Sequence, residues 1–206
     1  GQLRVELPGN QPPDRYDYDP RDPVPTLGGN LSVHMMSQHA EEPLLAGPVD
    51  QRPLEARADV LVYTSPVLAE DLVLIGPLQV VLYAESSARD TDFTARLTDV
   101  YPDGRSLVLS EGILRGRYRK GLAATELLEP NAVDEFKIEL CPVCHVFKAG
   151  HRLRLDISSS NFPRFSRNLN TGEDVATGTR MLTAKQTMLH TGQYPSHIVL
   201  PVVDAD

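Results

Sequence analysis

Alternation of apolar and polar residues with a period of two is the feature that most constrains this chain. Short runs rich in Val, Leu, Ile and Tyr recur at intervals of roughly ten residues and are separated by turn-forming residues. In the run 92–101, Phe93, Ala95 and Leu97 alternate with polar neighbours. Every second side chain of a strand shares one face of the sheet. The pattern therefore predicts an all-β fold, a sandwich or jelly roll, over residues 59–206.

The predicted strands occupy 59–64, 72–75, 78–85, 92–101, 105–119, 135–140 and 151–158, with two more in the closing runs KQTMLHT and SHIVLPVV. Residues 102–104, Pro-Asp-Gly, predict a turn between two of them. Arg115, Arg117 and Arg119 stand at every second position, which predicts one solvent-facing side of a strand. Only the run 122–128 favours a turn or two of helix.

The first 58 residues form a different region, a proline-rich arm. Nine of the 17 prolines lie between Pro8 and Pro53. Proline fixes φ and lacks a donor, so this region cannot supply a central strand or a helix interior. Its apolar residues predict an arm that packs on the sandwich and on a neighbouring domain.

Composition and charge exclude several classes of protein. The chain has 206 residues, a formal net charge of −8 and a pI of about 5.2. An acidic surface repels phosphate backbones, so we expect no nucleic-acid partner. The apolar runs are short, and we expect no membrane partner. No signal peptide is recognised, which favours the cytoplasm while leaving the compartment open.

The most chemical-looking motif is Cys141-Pro-Val-Cys-His145, which contains both cysteines. The spacing is that of c-type haem attachment, and the same letters are compatible with half of a zinc site or a redox dithiol. The motif lies between two predicted strands, where Pro142 favours a turn. A haem pocket needs helices that this sequence does not predict, and further zinc ligands are few. Free thiols, no cofactor and no metal are the expectation.

Recognisable catalytic centres are missing from the sequence. No Gly-x-Ser-x-Gly elbow, His-Glu-x-x-His motif or phosphate loop occurs. Asp17, Asp19 and Asp22 offer oxygen ligands for calcium, although Asp is also common in proline-rich turns. Asp90 and Asp92 are interpreted as a loop and strand-start pair. The chain is therefore expected to lack a catalytic nucleophile.

Three long segments resemble a known family: YDPRDPVPTLGG (18–29), GPVDQRPLEARADVLVYTSPVL (47–68) and HVFKAGHRLRLDISSSNFPRFSRNLNTG (145–172). They are similar to the C-terminal domain of X-Pro dipeptidyl-peptidases and cocaine-esterase-like hydrolases, the CocE/NonD family. The resemblance implies a jelly-roll sandwich with galactose-binding-like topology. It also implies that the Ser-His-Asp triad belongs to an α/β-hydrolase domain of the same parent chain. In addition, part of a homodimer contact is expected on this chain.

The resemblance further implies which residues face the catalytic domain and wall its acyl pocket. These are Asp22, Pro25, Gly28, Gly29, Asp50 and Gln51 in the arm, and Phe162 and Arg164 in a later loop.

Two other functions stay open from the sequence. One is a carbohydrate-binding module, because sugar-binding sandwiches share this topology, although the chain has no Trp. The other is a stand-alone interaction domain.

Overall fold

Strands dominate the computed structural model, which describes residues 1–31, 45–174 and 176–203. Helical structure in these residues is confined to α1 (Arg52–Glu55) and a 3-10 turn at Gly116–Tyr118. The strands are β1 (Asp14–Tyr18), β2 (Leu61–Thr64), β3 (Leu72–Ser86), β4 (Asp92–Val100), β5 (Ser106–Arg115), β6 (Asp134–Phe147), β7 (Arg152–Ser158), β8 (Ala184–Leu189), β9 (His197–Val199) and β10 (Val202–Val203).

Two antiparallel sheets are built from these strands. In the larger sheet β8 lies between β1 and β3, and β3 also pairs with β6, β9 and β10. In the smaller sheet the order is β2-β7-β4-β5. The all-β sandwich is thereby confirmed. The jelly-roll connectivity with galactose-binding-like topology stays a prediction.

The apolar core lies between the two sheets and follows the predicted alternation. Phe93 and Leu97 of β4 face Phe136 and Ile138 of β6, and all four are buried. The rings of Phe93 and Phe136 meet edge to face, with centroids 4.6 Å apart, a favoured aromatic geometry. At one side the two sheets come into backbone contact. A Cβ at Gly112 of β5 would overlap the carbonyl oxygen of Glu139 in β6, so only glycine permits this approach.

The arm covers the outer face of the smaller sheet. Val24, Leu54 and Val60 form a second apolar cluster there, separate from the main core. Strand β4 is consequently buried at every position from Asp92 to Val100. The arm also supplies β1, which lies at the edge of the larger sheet, where a proline-rich region can join a ladder.

The structure corrects the prediction for Cys141–His145. These residues lie inside the continuous strand β6 rather than in a turn between strands. Cys141 and Pro142 form a β-bulge there, because β3 pairs Gly76 with Val143 but Leu78 with Leu140. Proline has no N–H to donate, so a bulge accommodates it where a regular ladder would not. The bulge moves the inward-facing set from Phe136, Ile138 and Leu140 to Val143, His145 and Phe147.

Three smaller predictions also change. The runs 72–75 and 78–85 belong to one strand, β3, bent opposite the bulge. The run 122–128 contains no helix. Arg115, Arg117 and Arg119 do not form a solvent-facing row, because each side chain is at most 19% exposed and is ion-paired.

Candidate domain-interface site

The arm and the loop that follows β7 are joined by backbone hydrogen bonds. The Thr26 amide donates to the Phe162 carbonyl at 2.7 Å, and the Phe162 amide donates to the Val24 carbonyl at 2.9 Å. This isolated bridge places Pro25 beside Phe162. Two segments more than 130 residues apart along the chain thus form one surface. We call it the arm–loop surface, with the residues Asp22, Pro25, Gly28, Gly29, Phe162 and Arg164.

A buried carboxylate, Glu111 of β5, organises the underside of this surface. Its Oε1 accepts from Arg164 and its Oε2 accepts from the Asn161 amide at 2.7 Å. On its other side Arg96 of β4 approaches Oε2 at 3.4 Å. Glu111 is therefore shared between the sheet and the loop, and one anion fixes the position of Arg164.

Gly29 owes its place to the same carboxylate. A Cβ at Gly29 would overlap Glu111 Oε1, and its φ of 87° lies in the left-handed region. Gly28 precedes it with a φ of 70°. The Gly29 amide donates to the Gly47 carbonyl at 2.8 Å, and the Gly47 amide donates back at 2.9 Å. The paired glycines thus bring the arm backbone directly over Glu111.

Gln51 and Asp50 support the arm from within. Gln51 is completely buried, and its side-chain amide donates to the carbonyls of Leu27 and Val49 at 2.8 and 2.9 Å. Asp50 accepts from the Ser106 amide at 3.1 Å. Hydrogen bonds from Arg52 lower the pKa of Asp50 below its usual value. Within this chain Gln51 ties the arm to β5 and presents no side chain at the surface.

Asp22 lies at the exposed margin of the arm–loop surface. Its carboxylate is 3.2 Å from Arg57, which also binds Asp59. These two carboxylates raise the pKa of Arg57. Asp19 accepts from the backbone and the side chain of Arg21 instead of converging with Asp22. In residues 1–31, 45–174 and 176–203, no three His, Cys, Asp or Glu side chains are arranged to hold a metal ion.

Aromatic and guanidinium groups alternate at the exposed end of the loop. Phe162 is 38% exposed, and the Arg167 guanidinium lies 5.3 Å from its ring centroid. The Arg164 guanidinium lies 5.1 Å from the Phe165 ring centroid. Such cation–π stacks hold the planar groups in fixed orientations. Phe162 is thereby presented as a rigid apolar anchor.

Asp90 and Asp92 form a second buried carboxylate pair next to the loop. Asp92 opens β4, as predicted, and accepts from Arg115 at 2.9 Å. Asp90 accepts from Arg117 at 2.9 Å, and the Asn168 amide bridges both carboxylates at 2.8 Å. Burial raises the pKa of Asp92, and Arg115 opposes that rise. The pair anchors the residues after the loop.

His145 and His151 share a single buried carboxylate at one end of the sandwich. Asp99 is 2% exposed; its oxygens lie 3.2 Å from His145 Nε2 and 2.8 Å from His151 Nδ1. Asp99 and His151 belong to the smaller-sheet side and His145 to β6, so the cluster joins the two sheets. Cys144 is exposed, and Cys141 is 3.6 Å from the Asn30 amide nitrogen. The histidine of the motif thus has a structural partner.

Sequence comparison identifies the family of the chain. A family model described as the X-Pro dipeptidyl-peptidase C-terminal non-catalytic domain matches residues 1–199. The chain belongs to this family. It is 42% identical over 205 residues to the cocaine esterase of Rhodococcus sp. (strain MB1 Bresler), covering 98% of this chain and 34% of that protein. The PepX C-terminal domain thus spans about a third of the length of this curated relative.

Solved structures of longer proteins contain a region similar to this chain. An aminopeptidase from a marine-sediment Thaumarchaeota archaeon superimposes with a TM-score of 0.90 at 32% identity, over 99% of this chain and 35% of that one. An α-amino acid ester hydrolase superimposes with a TM-score of 0.88 at 31% identity, over 98% of this chain and 35% of that one. A CocE/NonD hydrolase from Staphylococcus aureus shares the fold at 17% identity, with a TM-score of 0.62.

Sequence reasoning located part of this site and missed its centre. The structure brings Pro25, Gly29, Phe162 and Arg164 together, while their contact with a catalytic domain stays a prediction. Glu111 was not singled out, because its partners in the loop lie 50 and 53 residues further along the chain.

The helices in the described residues are all too short to span a membrane.

Proposed function

We propose that this PepX C-terminal domain supports the catalytic domain of a serine hydrolase that acts on esters or amides. Two observations carry the proposal. The family is described as a non-catalytic C-terminal domain, and the relatives that contain a similar region are about three times as long as this chain. Those relatives are an esterase, an aminopeptidase and an ester hydrolase. The remaining length of such a parent has ample room for an α/β-hydrolase domain.

The arm–loop surface is the proposed contact with that catalytic domain and the proposed wall of the acyl pocket. Phe162 supplies an exposed aromatic anchor, and Arg164 and Arg167 are held rigid beside it. Aromatic and Arg side chains of this kind carry a large share of the binding energy in protein interfaces. The surface is ordered internally by Glu111 and Gln51, so little conformational entropy is lost when a partner docks.

In such a parent enzyme, chemistry belongs to the catalytic domain. A serine activated by histidine would attack the substrate carbonyl, and preorganised donors would stabilise the oxyanion. The domain described here would shape the pocket and exclude water from it. We therefore expect the 206-residue chain alone to show no turnover of 4-nitrophenyl acetate above a buffer blank. Turnover abolished by a serine-directed inhibitor would contradict this assignment.

Substitutions in the intact parent enzyme test the contact. Phe162→Ala removes the exposed anchor, and we expect a loss of about 1–2 kcal/mol in domain association. The measurement is the activity half-life at elevated temperature, together with KM. The matched control is Leu122→Ala, another exposed apolar residue, at 85% exposure and not among the residues of the arm–loop surface. Equal behaviour of both variants would place the contact elsewhere on the domain.

A further inference from the structure

A polar layer lies buried between the smaller sheet and the arm. Its centre is Arg96 of β4, which is paired in register with Asp156 of β7 on one side and Glu111 of β5 on the other. All three are buried. Side chains on this face would meet solvent in a two-layer sandwich, but here the arm lies over them.

The Asp156 carboxylate has no hydrogen-bond donor among the described residues of this layer. It is 3% exposed, and neither carboxylate oxygen has a hydrogen-bond partner among the described residues. Nearby, Glu55 of α1 accepts from Arg154 through Oε2, whereas its Oε1 is buried without a partner among those residues. A buried polar oxygen without a hydrogen bond costs about 1–3 kcal/mol, and a charged one costs more. The layer therefore needs donors that its side chains do not supply to Asp156.

A small cavity adjoins Asp156 at this point. Its volume is about 10 Å³, and its lining includes Asp156, Ser160 and Thr94, with Val24 and Val60 of the arm and its junction as the apolar wall. That volume is close to the minimum that holds one water molecule, and the walls are polar enough to bind it. Ser158 also lines the cavity, and its hydroxyl donates to the Asp59 carbonyl at 2.7 Å, so its oxygen can accept a further hydrogen bond.

The charges around the cavity favour a neutral occupant. The carboxylates of Asp156, Glu55 and Glu111 are matched by the guanidinium groups of Arg96, Arg154 and Arg164. Buried charges without compensation are costly, so a site with balanced charges gains nothing from an added ion. The occupant that fits both the volume and the charge is water, which has two donors for carboxylate oxygens.

We propose that this cavity is a binding site for one water molecule, which donates hydrogen bonds to an Asp156 carboxylate oxygen and to the hydroxyl oxygen of Ser158, the next residue on the same face of β7. The water satisfies a carboxylate that the covering arm shields from solvent. Because internal waters of this kind satisfy buried groups that would otherwise be unpaired, their removal is costly. The water therefore helps to hold the arm against the smaller sheet.

A high-resolution crystal structure of the 206-residue chain tests the proposal directly. The expected result is a density peak within hydrogen-bond distance of both an Asp156 carboxylate oxygen and the Ser158 hydroxyl. The lack of any peak there overturns the proposal. A peak with the coordination of a sodium ion, together with a Tm that changes when sodium is replaced by potassium at equal ionic strength, also overturns it.

Oxygen-17 relaxation dispersion of water provides a test in solution. Val60→Ile adds a methyl group to the cavity wall, and we expect the amplitude from long-lived waters to fall by the contribution of one molecule. Val62→Ile is the matched control, since Val62 packs in the same apolar cluster but does not line the cavity. If the amplitude falls equally in both variants, or if it falls in neither variant, the proposed water site is contradicted. If Val60→Ile does not fold, the crystal structure of the unsubstituted chain decides.

Discussion

The two faces of the smaller sheet are both buried, yet their chemistry is opposite. On its inner face β4 presents Phe93, Ala95 and Leu97 to the larger sheet. On its outer face it presents Thr94, Arg96 and Thr98 to a layer covered by the arm. Alternation along a strand distinguishes two faces but does not say that the polar one meets water. Here it faces a second buried layer held by ion pairs and amide hydrogen bonds.

Truncation of the inner layer should have the largest effect. Phe136→Ala removes a buried ring that packs on Phe93 and leaves a cavity between the sheets. We expect the free energy of unfolding to fall by about 3–5 kcal/mol, as measured by urea denaturation. Val146→Ala on the same strand, at 38% exposure, serves as control and should change little. A similar loss from both variants would contradict the placement of the core.

Removal of the central carboxylate should damage the outer layer almost as strongly. Glu111→Ala leaves the guanidinium groups of Arg96 and Arg164 buried without their anion. The expected loss is about 3 kcal/mol in urea denaturation, with faster proteolysis within the arm. Glu173→Ala breaks the exposed pair with Arg180 and should leave stability unchanged. If Glu111→Ala is as stable as this control, Glu111 does not organise the layer.

The pH dependence of stability should distinguish the layers with a smaller effect. Burial, with a lesser contribution from Glu55, raises the pKa of Asp156 from 3.8 to about 7, against the opposing effects of Arg96 and Arg154. Glu111 faces the same cavity. The folded state then binds a proton more tightly than the unfolded state, so this group's contribution to stability is present below about pH 4. It is lost as the pH rises to about 7.

Asp156→Asn removes that titration. We expect the variant to be more stable than the original chain at pH 8, and the difference to shrink as the pH falls toward 4. Urea denaturation at a series of pH values measures it. Phe136→Ala, which removes no titratable group, should show a difference from the original chain that is constant across the same range. A gain from Asp156→Asn that is equally constant would be incompatible with a buried Asp156 that titrates.

Sequence reasoning was accurate where neighbours along the chain determine the structure. The alternation around Phe93 and Phe136 predicted both the strands and the inner layer, because side-chain parity along a strand is local. It failed for Arg115 and Arg117, predicted to face solvent, since their partners Asp92 and Asp90 lie 23 and 27 residues earlier. The outer layer depends on such distant pairs, which no local pattern encodes.

For the candidate site the resemblance supplied more than local chemistry did. It singled out Phe162, Arg164 and Gln51, whose role at a domain interface stays a prediction, and the burial of Gln51 depends on the tertiary path of the arm over β5. Both the homodimer contact and the boundary between residues 1–58 and 59–206 stay predictions. Only a tertiary structure shows that one carboxylate, Glu111, lies beneath Gly29.

The bulge in β6 decides which side chains beyond it face the core. Cys141 and Pro142 together oppose the single residue Pro77, and this surplus is what turns His145 and Phe147 inward. A regular ladder that kept both residues would turn Cys144 and Val146 toward Asp99 in their place. The two cysteines of the sequence motif thus contribute to the fold through their backbone positions, Cys141 in the bulge and Cys144 on the outer side of β6.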